Sequence, residues 1–141
     1  MKYIRSSTMV FAYLLLFALA AHGEEGMKEK RFVATVGPDG VQHVDITGGE
    51  YFFDPNYIVV KVNVPVELSV KKTKGYVPHD ILVKAPEAGI DFKVKLSDKE
   101  AMTVKFTPTK TGKYEMECDE RFLFFKSHKD RGMDGFIEVV Q

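Results

Sequence analysis

Cys118 is the single cysteine in the 141-residue chain. It is followed by His128 and then Met133, in the stretch GKYEMECDERFLFFKSHKDRGMDGFIEVV. A thiolate, an imidazole and a thioether in one loop, between two strand-like segments, form the ligand set of a soft one-electron copper site. A second imidazole has to come from elsewhere in the chain, and His79 is the best candidate. Gly132 and Gly135 flank Met133 and permit tight backbone turns around an ion. Each residue also has a plainer reading. His128 lies in a charged segment (KSHKDR) and can face solvent, Met133 can fill core space, and His79 beside Asp80 can be a surface pair. His43 sits in an alternating segment and reads as a surface strand residue.

Such ligands need a scaffold. The chain is 45% hydrophobic and 28% charged, which suits one globular domain. The first 23 residues read as a signal peptide. Lys2 and Arg5 form a basic start, Met9 to Ala21 is apolar, and small residues follow. Met9 to Ala21 falls short of the roughly 20 apolar residues that a membrane-spanning helix requires. An uncleaved leader would be the chain's only route to a membrane. The remainder then carries 18 basic and 20 acidic residues, with no basic stripe interleaved with aromatics. That excludes a nucleic-acid surface. Export, to a periplasm or beyond, makes an unpaired cysteine informative, because cysteines in an oxidising compartment usually pair.

After a flexible lead-in over 24–30, short β-prone segments alternate with Gly and Pro punctuation through 31–141. Val41 to Thr47, Val66 to Lys72 and Met102 to Phe106 alternate apolar and polar residues. Tyr57 to Val64 is β-branched. Gly48-Gly49 reads as a break, and Pro86 to Leu96 as a longer connection with some strand character. A short helix fits within Asp119 to Asp130. Seven to eight strands without long helical periodicity predict an all-β fold, a Greek-key sandwich or barrel. In Lys113 to Cys118 the period of two puts Tyr114, Met116 and Cys118 on one face and the charged residues on the other. The thiol therefore points inward at the end of a strand. Phe122, Phe124 and Phe125 read as a pack of rings over the core, with an exposed docking patch as the alternative.

The segment HKDRGMDGFIEVV resembles the C-terminal end of the cupredoxins, and GKYEMEC resembles the strand that delivers their thiolate. VDITGGEYFFDPNYIVVKVNVPVELSVKKT and VPHDILVKAPEAGIDFKV resemble the periplasmic domain of cytochrome c oxidase subunit II. The resemblance spans about residues 43–141. It implies a cupredoxin-type sandwich and one copper ion, cycling between Cu(I) and Cu(II), on His79, Cys118, His128 and Met133. It also implies redox protein partners such as a cytochrome or terminal oxidase. Two departures stand out. A binuclear CuA centre needs a second thiolate, and Phe122 occupies that position. The loop from Cys118 to His128 is longer than in blue-copper proteins. In the red-copper, nitrosocyanin-like relatives a carboxylate or water replaces the methionine, and Glu120 is the nearest carboxylate here. The functions implied are a one-electron carrier rather than an enzyme, a copper delivery or storage protein, or a red-copper site with an open coordination position.

Overall fold

The structure is a computed structural model that describes residues 28–121 and 126–141. The expected leader over 1–23, most of the lead-in, and Phe122, Phe124 and Phe125 lie outside the described residues. Among the described residues no helix is long and apolar enough to cross a membrane.

Among the described residues ten strands follow in chain order: β1 (Arg31–Val33), β2 (Gln42–Gly49), β3 (Phe52–Asp54), β4 (Tyr57–Lys61), β5 (Val66–Lys72), β6 (Asp80–Ala85), β7 (Ile90–Lys95), β8 (Met102–Phe106), β9 (Gly112–Glu117) and β10 (Asp134–Val140). They form a six-stranded sheet ordered β1-β4-β10-β9-β6-β7 and a four-stranded sheet ordered β3-β2-β5-β8. The two sheets make an all-β sandwich, as the punctuation pattern predicts.

The strand count exceeds the expected seven to eight for local reasons. Pro86–Ala88 is a single 3-10 turn closed by Gly89 at φ 72°, so the presumed connection is a tight link between β6 and β7. Gly48-Gly49 does not end β2, which runs through Gly49 and pairs with β3 at Gly49↔Phe52. The glycines are there for space. A Cβ on Gly48 would lie 2.5 Å from Leu96 Cδ1, and one on Gly49 would overlap the Phe52 ring. Of the short helix expected within Asp119 to Asp130, residues 122–125 lie outside the described residues, and the described ones carry one 3-10 turn, at Lys129–Arg131.

The core lies between the sheets and follows the period of two. Val66, Leu68 and Val70 of β5 are buried, while Glu67, Ser69 and Lys71 face outward. Burying such side chains contributes roughly 1.5–3 kcal/mol each. Tyr57–Val60 of β4 is buried on both faces. The strand runs between β1 and β10, parallel to both, and an Arg31 guanidinium covers the outer Tyr57 ring at 4.0 Å. Double burial explains why this segment shows a continuous apolar run and no alternation.

One buried polar side chain ties the sheets together. Gln42 of β2 is 0% exposed, and its Oε1 accepts the Lys61 N–H at 2.7 Å. Its Nε2 donates to the carbonyls of Lys61 and Val64, both at 3.2 Å. The amide thereby satisfies backbone groups at the end of β4 that no strand partner reaches.

Candidate metal centre

The sheet register brings the candidate residues to one end of the sandwich. β6 and β9 are antiparallel with Leu82 opposite Glu117. His79, just before β6, therefore comes beside Cys118, just after β9. β9 and β10 are antiparallel with Glu117 opposite Asp134, which carries Met133 to the same end. The Cys118 N–H donates to the Met133 carbonyl at 3.1 Å and continues that ladder by one step.

The long loop after Cys118 does not displace His128. Its base is bridged, with the His128 N–H donating to the Glu120 carbonyl at 3.1 Å and the Lys129 N–H to the Cys118 carbonyl at 3.0 Å. The chain then tightens through Lys129–Arg131 to Gly132, whose φ of 93° is left-handed and suits glycine. The Met133 N–H returns to the His128 carbonyl at 3.0 Å. His128 is therefore fixed by backbone bonds on both sides of the insertion, whatever path the intervening residues take.

His79 Nδ1 lies 3.1 Å from His128 Nδ1, which lies 3.5 Å from Cys118 Sγ. Among the described residues these three form the group of His, Cys and carboxylate side chains able to hold an ion, with donor atoms all within 4.8 Å of one another. Metal bonds to imidazole and thiolate run about 2.0–2.3 Å, so two such ligands on one ion stand roughly 3.3–3.8 Å apart at trigonal or tetrahedral angles. The observed separations lie close to that range, so small side-chain shifts would seat a single ion. The donor chemistry fits copper, for which thiolate is a soft partner and imidazole serves either oxidation state.

All three side chains are shielded: His79 and His128 are 4% exposed and Cys118 is 0% exposed. A solvent-facing His128 and a surface His79–Asp80 pair are thereby corrected; the sandwich end closes over both. Met133 is also fully buried, with its Cε methyl 3.4 Å from where a Gly48 Cβ would stand. Glu120 stands apart from the donor group, with its carboxylate 3.9 Å from Lys95 Nζ. His43 is on the outer face of β2, paired with Asp39 at 2.7 Å.

Burial governs the protonation of the site. It pulls the His79 imidazole down to about 4, helped by the charges of His128 and Lys72. His128 is lowered too, by burial and then by Arg131. Burial pushes the Cys118 thiol up to about 12. At neutral pH the imidazoles are neutral, with lone pairs to offer, and the thiol keeps its proton until something displaces it.

Two residues that sequence reasoning did not single out support the site. Asp80 is 0% exposed; its N–H donates to Cys118 Sγ at 3.4 Å and its Oδ1 accepts the Asp119 N–H at 3.0 Å. Burial and the nearby Asp119 raise the Asp80 carboxyl, while Lys93 draws Asp119 below the usual range. Lys93 Nζ reaches both, at 3.1 Å from Asp80 and 2.5 Å from Asp119. The second residue is Tyr51, in the β2–β3 turn, whose ring meets both imidazoles edge-on. An acid directly after a histidine hinted at the first. Nothing local hinted at the second.

A two-sheet β-sandwich with two imidazoles and a thiol converging at one end defines a class of metal-binding β-domain. The chain belongs to the cupredoxin-like domain family, whose family model matches residues 8–133. No curated protein matches it in sequence. Solved structures share the fold. The metal-binding domain of the Cu(I)-exporting P-type ATPase CopA of Streptococcus pneumoniae D39, solved with Cu(I), is 18% identical. It aligns over 81% of this chain and 99% of its own, with a TM-score of 0.61. Auracyanin from Roseiflexus castenholzii is 19% identical over 77% of this chain and 99% of its own, with a TM-score of 0.58. The periplasmic domain of subunit II of cytochrome oxidase from Bradyrhizobium japonicum is 22% identical over 70% of this chain and 83% of its own, with a TM-score of 0.51. The family binds copper, and the His79–Cys118–His128 group can hold one copper ion. A single cysteine leaves no second thiolate for a CuA centre within one chain.

Proposed function

We propose that the protein is an exported, mononuclear copper protein that carries single electrons between larger redox partners and is not an enzyme. His79, His128 and Cys118 would be the strong ligands and Met133 the weak axial one. The reading is carried by one observation: two imidazoles and one thiol bring donor atoms within 4.8 Å of one another at a buried end of the sandwich. Bound there, copper would supply a Cu(I)/Cu(II) couple.

The chain's own residues do the rest. Burial keeps both imidazoles unprotonated at neutral pH and so available as ligands. The Asp80 N–H bonds the sulfur and would moderate its negative charge once the thiol ionises. The backbone bonds among Cys118, His128 and Met133 fix the main chain that carries the donors, which would limit reorganisation on a change of charge. The leader over 1–23 supports export. The fold likeness to an oxidase subunit II domain makes a cytochrome or terminal oxidase a natural partner.

The test is to add Cu(II) to the metal-free protein and record the visible spectrum and voltammogram. An intense thiolate-to-copper band, lost in Cys118→Ser, together with a reversible one-electron wave supports the reading. A colourless product refutes it. A copper-delivery role is favoured by the fold likeness to the Cu(I)-exporting ATPase domain. It predicts tight Cu(I) binding without a reversible wave. A red-copper site is favoured by the cleft of about 370 Å³ beside His128. It predicts a red product whose spectrum changes on adding azide.

A further inference from the structure

The turn between β2 and β3 carries an aromatic residue where the backbone favours glycine. Tyr51 has φ 62°, a left-handed conformation that is an outlier for a bulky side chain and that glycine or asparagine adopts readily. A strained backbone persists where the surrounding structure over-determines it, and such strain clusters at functional sites.

The surroundings do over-determine Tyr51. Its ring centroid lies 5.1 Å from that of His128 at 84°, and 6.3 Å from that of His79 at 88°. Both are edge-to-face contacts, the geometry aromatic quadrupoles favour. The hydroxyl accepts a hydrogen bond from Arg131 Nη1 at 2.8 Å, and the guanidinium carbon sits 4.9 Å from the ring centroid. Arg131 belongs to the same tight turn as His128 and bonds its carbonyl through the backbone at 3.1 Å. One ring is thus gripped at its edge by an imidazole and at its hydroxyl by a residue three positions further along. The hairpin belongs to the four-stranded sheet, whereas His128 lies in the β9–β10 loop of the six-stranded sheet and His79 immediately precedes β6 of that sheet.

Imidazole orientation is the quantity at stake. The χ2 torsion of histidine is broad and roughly two-fold. A half-turn of His128 would replace Nδ1 by a ring carbon opposite both His79 and Cys118. His128 Nδ1 faces both His79 Nδ1 and the sulfur, and these contacts vanish on such a flip. Backbone bonds fix where His128 sits, but they leave its ring rotation open.

We infer that Tyr51 is a positioning residue: its ring, clamped by Arg131, locks the rotation of His79 and His128 so that their Nδ1 atoms face each other beside the Cys118 sulfur before any metal arrives. The inference rests on the copper reading only for the identity of what the imidazoles hold. The locking itself is a property of the metal-free protein.

The experiment compares Tyr51→Gly, Tyr51→Leu and Tyr51→Phe with the natural protein. In the metal-free state, ¹⁵N NMR of the histidine rings reports tautomer and ring exchange, and thermal unfolding reports stability. Cu(I) affinity is then measured by competition with a chelator. Tyr51→Gly should remain folded, because relief of the left-handed strain offsets part of the lost ring contacts. Its His79 and His128 signals should nonetheless broaden by exchange, and Cu(I) affinity should fall at least tenfold. Tyr51→Phe should retain sharp signals and most of the affinity. Tyr51→Leu fills the space without an aromatic edge and should behave like Tyr51→Gly at the rings, which decides the matter if the glycine variant does not fold. Unchanged ring signals in both Tyr51→Gly and Tyr51→Leu overturn the inference. If the natural protein binds no copper, the copper reading fails while the ring exchange still decides this one.

Discussion

Replacing Gly48 by alanine tests how the β2 strand makes room for the end of the sandwich that holds the donor group. The new Cβ would lie 2.5 Å from Leu96 Cδ1 and 3.4 Å from Met133 Cε. The first distance cannot stand, and Leu96 is only 7% exposed, so its side chain has little room to retreat. Overpacking of this kind costs about 1–3 kcal/mol. Gly→Ala returns about 0.4–1 kcal/mol by restricting the unfolded chain. The net loss should be about 1–2 kcal/mol, or a fall of roughly 5–10 °C in Tm for a domain near 100 residues. Leu96→Ala alone should cost about 2–3 kcal/mol through the cavity it leaves. The two changes relieve each other, because the added methyl occupies space that the lost isobutyl group vacates. Urea unfolding of the metal-free proteins, with unchanged m values, should show the double variant more stable than the sum of the single losses by at least about 1 kcal/mol. Additivity within about 0.5 kcal/mol, or a neutral Gly48→Ala, would refute the reasoning.

The His79 imidazole is held down to about 4 in the folded protein, chiefly by burial, against an ordinary value near 6.5. The unfolded chain therefore binds the extra proton between those values, so stability is full above about 6.5 and falls as pH drops towards 4, by up to roughly 3 kcal/mol. Urea midpoints from pH 7 to pH 5 should fall more steeply for the natural protein than for His79→Gln; equal slopes would contradict this. Gln42→Leu removes the acceptor of the Lys61 N–H and two further bonds, and should lower stability by about 1–3 kcal/mol in the same assay. Copper uptake must displace the proton of a thiol pushed up to about 12, so Cu(II) affinity should drop on acidification and binding in weak buffer should release about one proton per ion. A pH-independent affinity between pH 8 and pH 6 would count against a thiolate ligand.

How much of this was legible in the sequence depends on where the determining contact lies. β5 and β8 were readable because each buries one face and wets the other, so their alternation survives in the residues themselves. β7 also alternates, as Ile90-Asp91-Phe92-Lys93-Val94-Lys95, but Pro86 and Gly89 disguised it. They read as a loop when they form the tight turn that lets β7 fold back on β6. The same error of kind affected Gly48-Gly49, where the missing side chains mark a close approach from Leu96 and Phe52 and not an interruption. The inward thiol followed from strand parity alone. The placement of His128 did not, since loop length argued against it and the deciding bonds run from residues 128 and 129 back to residues 120 and 118 through the backbone. Donor identity is thus local information, written in residue types. Donor convergence is tertiary, and it depends on groups such as Asp80 and Tyr51 whose partners lie some 40 to 80 residues away or on the opposite sheet. A chain could keep all four candidate ligands and lose the site by changing either of these supports. The residues that most deserve substitution are therefore the ones that the ligand pattern does not name.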